Sequence, residues 1–197
     1  MRLLLFVLTF VSSTLAVAVQ PVSGTIERKG QDILLQSNDA CSYYRIETKN
    51  SDAQAALEKL SPGDSLTASG LIDKVACVAV VESVDYVGLK RMLGTWLSKE
   101  GLIAVHDFNT LFFYPQTKTD FKRVFEKPAD FTIGKSIRYK YSVTPSEGKE
   151  WVMFLSDAKS TTFATIQFSK EVAIMKLYDS DSGAVTKTLI LTRNRSL

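Results

Sequence analysis

The chain is short of the residues on which most enzyme chemistry depends. Among 197 residues there is one histidine, His106, and there are two cysteines, Cys41 and Cys77. A lone histidine excludes a His-rich metal site and leaves no second imidazole to act as a general base. Its neighbour Asp107 would point to the opposite face of a strand, so the two do not form a dyad by themselves. Ser/His/Asp catalysis through His106 is the enzyme reading left open, without the Gly-x-Ser-x-Gly turn that would present a nucleophile. The cysteines are too far apart for a C-x-x-C redox pair, and no phosphate-cradling glycine loop follows a strand. Asp179-Ser180-Asp181-Ser182-Gly183 begins like a calcium loop. It lacks the third oxygen ligand before the glycine and the distant glutamate, and reads as a hairpin turn. No catalytic residue, metal or cofactor is expected. Low-complexity tracts, long linkers and internal repeats are missing too, and a formal charge of +3 is too small to point to a partner.

Only one long apolar run is present, Leu3 to Phe10, preceded by Arg2 and followed by Ala16-Val17-Ala18. The run is shorter than the roughly 20 residues a bilayer span needs, and the small-x-small triplet fits a signal-peptidase site. Residues 1–18 are therefore expected to be a cleaved signal peptide, and the protein to be exported to a bacterial periplasm or secreted. In that compartment an even cysteine count suggests a Cys41–Cys77 disulfide.

Residues 19–93 read as a first domain. Short alternating segments at Val22 to Arg28, Ile33 to Leu35 and Cys41 to Thr48 give three strands. Ala53, Ala56, Leu57 and Leu60 then follow at i, i+3, i+4 and i+7, one helical face, with capping-box spacing at Ser51 to Gln54. Ser65 to Ile72 and Val75 to Val84 complete the set. Gly24 and Gly70 fall inside strands, where they can serve as bends. With Val22-Ser23-Gly24-Thr25-Ile26 and the stretch from Leu60 to Gly70, this order of three strands, a helix and two strands resembles the small exported bacterial OB-fold domains. The resemblance implies that the third and fifth strands run parallel, which would bring Cys41 and Cys77 to neighbouring strand ends. OB-folds often bind nucleic acid, and Tyr43 with Arg45 has the look of such a platform. The domain's net charge of −2 and the expected export argue against it, so no nucleic-acid partner is expected.

Residues 94–197 read as a second, nearly all-strand domain. Ser136 to Val143 alternates cleanly, with Ile137, Tyr139, Tyr141 and Val143 against Arg138, Lys140 and Ser142. About seven strands are clear after Trp96, joined by hairpin-length turns, which suggests an up-and-down antiparallel β-barrel. Gly94-x-Trp96 at the start of the first strand, with Arg193 at the end of the last, resembles the signature of lipocalin-like (calycin-type) barrels. That resemblance implies a barrel plug in which Arg193 packs across Trp96 and closes one end. The fold class expected is thus mainly β: an OB-like five-stranded barrel with one helix, then an up-and-down antiparallel barrel. Almost no linker separates Leu93 from Gly94, so a fixed relative orientation is expected.

The functional expectation is a non-catalytic binding protein whose barrel holds a small apolar or amphipathic ligand. The candidate ligand-binding residues are Phe112, Tyr139, Tyr141, Trp151 and Phe154. Cavity volume separates the readings: a filled barrel with no pocket near roughly 300 Å3 would sink the reading of a carrier for a drug-sized ligand, and the same aromatics would equally fill a small closed barrel. The alternative is a cell-envelope scaffold or interaction module. Residues 118–140 carry a net +4, and Lys118, Lys122, Arg123 and Lys127 are the candidates for an anionic lipid or glycan surface. A crossover helix with solvated lysines explains that segment as well.

Overall fold

The structure is a computed structural model, and it describes residues 19–115 and 136–194. The expected signal peptide, and Lys118, Lys122, Arg123 and Lys127 of the basic segment, lie outside the described residues. No helix among the described residues is long and apolar enough to cross a membrane. The fold is mainly β, in two closed sheets.

The first sheet contains β1 (Gln20–Lys29), β2 (Asp32–Gln36), β3 (Tyr43–Thr48), β4 (Ser65–Asp73) and β5 (Val78–Gly88). It closes in the order β1-β2-β3-β5-β4, with β4 returning to β1. β3 and β5 run parallel, from Arg45 opposite Val78 to Thr48 opposite Val81, and the other pairs are antiparallel. The alternation read from the sequence sets the faces: Val22, Ile26, Leu35, Tyr44, Leu66 and Val81 are buried inside. Sharp curvature brings β1 so close to β2 that a Cβ on Gly24 would stand 2.2 Å from the Gln36 carbonyl oxygen. Only glycine fits there. β4 bends at a register shift between Ser69 and Gly70.

Helix α1 (Ser51–Glu58) connects β3 to β4 and buries Ala53, Ala56 and Leu57. Its cap is Asn50, not Ser51: the Asn50 side chain accepts from the amides of Asp52 (2.8 Å) and Ala53 (3.3 Å). Asn is as good a cap as Ser, and Gln54 turns forward to donate to Glu58 instead of closing a capping box. Arg28 caps the other end, donating to the carbonyls of Leu57, Glu58 and Leu60.

The Cys41–Cys77 disulfide is present, with the Cα atoms 5.8 Å apart. The cysteines precede β3 and β5, and the Arg45 amide donates to the Cys77 carbonyl (2.9 Å). The bridge therefore clamps the start of the parallel pair, a contact between strands distant in sequence.

The second sheet has eight strands, one more than alternation alone displays: β6 (Gly94–Leu97), β7 (Gly101–Val105), β8 (Thr110–Pro115), β9 (Ile137–Pro145), β10 (Trp151–Ser156), β11 (Thr161–Ser169), β12 (Val172–Tyr178) and β13 (Val185–Asn194). All neighbours are antiparallel, in chain order, and β13 closes on β6. The additional strand, β6, has four residues, too few for a period-two pattern to declare itself.

A single 3-10 turn, Lys90–Met92, separates β5 from β6, and the two barrels are bolted at that turn. Lys59, just past α1, donates to the carbonyls of Ser146 (2.8 Å) and Glu150 (3.2 Å) in the β9–β10 turn. Its ammonium also lies 4.8 Å from the ring centroid of Trp151, and the Arg91 guanidinium lies 5.8 Å from the same ring and 4.5 Å from that of Phe168. Asp64, 1 % exposed, accepts from the amides of Ser61 (2.8 Å) and Lys90 (2.7 Å), which fixes the turn against the first barrel.

Candidate functional site at the far end of the eight-stranded barrel

The eight-stranded barrel has two unlike ends. β6, β8, β10 and β12 run away from the five-stranded barrel and β7, β9, β11 and β13 run back toward it, so the two ends collect different residues. At the near end Trp96 and Arg193 are direct partners across β6 and β13. The guanidinium carbon stands 4.7 Å from the indole centroid, and Arg193 donates to the Arg91 carbonyl. Trp96 Nε1 donates to the Met92 carbonyl (2.8 Å), and its ring meets Phe168 at 5.9 Å. Gly94 takes φ 109°, a backbone conformation that L side chains rarely adopt. Trp151, fully buried, completes the closure.

The far end holds a cavity of about 130 Å3. Ile103, Leu111, Leu155, Met175 and Leu189 form its apolar floor, with Phe113 and Tyr139 on the wall. Glu100, Thr162 and Lys187 supply polar groups around it, and Lys187 is exposed to solvent. Burial, and secondarily the charge of Asp157, hold the Tyr139 phenol above its ordinary pKa, so at neutral pH it is a hydroxyl donor.

Of the five aromatics expected to contact ligand, Tyr139 lines this cavity. Tyr141 is on the same strand face but is buried toward the near end, where its hydroxyl donates to the Asp107 carbonyl (2.8 Å). Burial pushes that phenol's pKa up. Trp151 belongs to the seam with the first barrel. Phe112 lies on the opposite face of β8 from Phe113 and meets the ring of His106 edge-on at 5.5 Å. Phe154 is 42 % exposed and packs on Phe163 outside the barrel. The physical reason is parity. Phe112-Phe113 and Val152-Met153-Phe154-Leu155 are apolar on both faces, so alternation does not tell inside from outside.

The polar cavity residues that sequence reasoning missed are Glu100, Thr162 and Lys187. Lys187 had a signal: it shares a face of β13 with Leu189 and Leu191, so a cation stands where the alternation calls for an apolar side chain. Tyr43 is exposed, and the neighbouring Arg45 is paired with Glu47 at 2.6 Å. The Asp179 carboxylate accepts from the amides of Asp181 and Ser182 and from the Ser182 hydroxyl, so the 179–183 stretch is the β12–β13 turn. Among the described residues no group of three His, Cys, Asp or Glu is placed to hold a metal ion.

Compared with known proteins, the chain matches no family model, no curated protein and no solved structure.

Proposed function

We propose that the protein is an exported, non-catalytic binding protein whose eight-stranded barrel receives a small apolar or amphipathic ligand at its far end. The observation that carries this reading is the cavity: an apolar floor with a carboxylate, an ammonium and two hydroxyls around it. At about 130 Å3 it falls short of the roughly 300–1,000 Å3 typical of drug-sized ligands. An engineered cavity of roughly 150 Å3 in another protein takes benzene. The ligand, or the part of it that enters, is therefore of that size. The lipocalin-like resemblance belongs to the same reading and is supported by the stacking of Arg193 on Trp96. The OB-like resemblance is supported by the strand order and the parallel β3–β5 pair.

Methionine methyl NMR tests the proposal directly. Met175 lines the cavity, whereas Met92 lies at the turn between the barrels. Titration with 2-phenylethanol should shift the Met175 methyl saturably and leave Met92 in place. Replacing Leu189 by Phe, which fills the cavity, should abolish the shift. A Met175 signal unmoved up to the solubility limit would remove the proposal.

An outer-surface feature favours a second reading, a cell-envelope interaction module. Phe154, Phe163, Tyr178 and Val185 are register partners in one row across β10, β11, β12 and β13, with Phe154 and Val185 exposed. The basic segment 118–140 is the other half of this reading. Binding to anionic vesicles or glycan that is unchanged after Lys118, Lys122, Arg123 and Lys127 are replaced by Gln would count against it.

A further inference from the structure

Resting on the cavity reading, we infer that the far-end cavity selects monocarboxylates with a compact apolar body of about six carbons, and that Lys187 reads their charge. β13 places two cations on its inward face, with Leu189 and Leu191 between them. At the near end Arg193 has a structural task, stacking on Trp96 and donating to the Arg91 carbonyl. At the far end Lys187 stands opposite Leu177, another cavity residue, and has no comparable partner. The three ion pairs among the described residues are Arg45–Glu47, Lys74–Asp39 and Lys176–Glu150. Among the described residues neither a ring nor a carboxylate holds the Lys187 ammonium, which stands exposed beside the cavity.

Around the cavity the balance favours an anionic head. Lys187, Thr162 and Tyr139 can all donate, and Glu100 is the one carboxylate lining it among the described residues. Asp157, in the neighbouring β10–β11 turn, already accepts from the amides of Lys159 (2.7 Å) and Ser160 (2.8 Å). The apolar part of the ligand is limited by the volume: a phenyl ring fits about 130 Å3, and the rings of Phe113 and Tyr139 offer it edge and face contacts. Among the described residues the cavity gives a longer acyl chain no further room, so affinity should level off beyond about six carbons instead of rising about fourfold per methylene.

Three ligands of nearly one shape separate the claims: phenylacetate, 2-phenylethanol and 2-phenylethylammonium, each titrated against the full chain with the Met175 methyl as readout. Phenylacetate should bind about three- to fivefold more tightly than the alcohol, the upper range expected of a solvated charge pair, and the ammonium should bind most weakly. Lys187→Gln should reduce the phenylacetate advantage to about twofold or less and leave the alcohol unchanged. Glu100→Gln should tighten phenylacetate. If the alcohol binds and phenylacetate binds no better, or if Lys187→Gln keeps the advantage, charge selection is overturned and the cavity reading stands. If none of the three moves Met175, both fall.

Discussion

At one end of the eight-stranded barrel, Arg193 and Trp96 meet in register across β13 and β6. At the other, Lys187 lies on the same face of β13, beside a cavity and in no ion pair with another described residue. The near end gathers Trp96, Phe168 and Trp151, and lays Arg193, Arg91 and Lys59 over their rings. The far end is walled by Leu, Ile and Met with one Phe and one Tyr, and part of it is unfilled. Volume explains the contrast. Indole rings backed by a second barrel fill their end, while aliphatic side chains of similar spacing leave a gap. The cations differ in the same way: Lys59 and Arg193 are half-buried, stacked on rings and bonded to carbonyls, whereas Lys187 is exposed.

The largest test of this contrast removes a ring from each end. Trp96→Ala or Trp151→Ala should cost about 3–5 kcal/mol in chemical denaturation, since both indoles are almost completely buried. Phe113→Ala beside the cavity should cost less than half as much, because that side chain is only partly buried. Equal losses would mean that both ends are structural plugs. Trp151→Phe sharpens the point. Trp151 Nε1 is buried without an acceptor, so this variant should fall well short of the alanine loss.

A smaller effect is expected at the bolt between the barrels. Lys59→Met keeps the aliphatic stem over Trp151 and removes the donor to the Ser146 and Glu150 carbonyls. A loss of about 1 kcal/mol in the urea midpoint analysis is expected. Lys187→Met at the other end of the same barrel should change stability by no more than a few tenths.

The smallest effect is a pH slope. Burial raises the Asp64 pKa, against the amides of Ser61 and Lys90, which lower it. Its folded value lies above its unfolded one, so this group's contribution is full below the unfolded carboxylate value, about 3.9. It is lost as pH rises through the raised value. Wild type should therefore lose stability relative to Asp64→Asn as pH rises from about 4 to 6. Comparing the two proteins isolates Asp64 from Asp39, Asp107, Glu150, Asp157 and Asp179, whose lowered values act in the opposite sense. A difference that does not change with pH would show that the seam carboxyl titrates alike in both states.

Much of the architecture was legible because it rests on local rules. Ile137, Tyr139, Tyr141 and Val143 mark one face of β9 without reference to any other strand. Ala53, Ala56 and Leu57 mark the buried side of α1 in the same way. The helix cap was misplaced by one residue because Asn50 and Ser51 are both capable caps, and the choice depends on where the chain leaves β3. The candidate site was scarcely legible. Tyr139 alone among the expected aromatics lines the cavity, and Lys187, Thr162 and Glu100 come from two strands and a turn whose adjacency no local pattern encodes.

Composition, periodicity and turn chemistry by themselves determined a mainly β chain in two parts, with a bend at Gly24 and a pair of cysteines suited to bridging. Only the tertiary structure decided which end of the second barrel is filled and which holds a cavity. A strand's alternation assigns a residue to a face, since successive side chains point to opposite sides. It carries no information about height along the barrel axis. That height, and the presence of a second barrel at one end, separate Arg193 on a tryptophan from Lys187 at the mouth of a cavity.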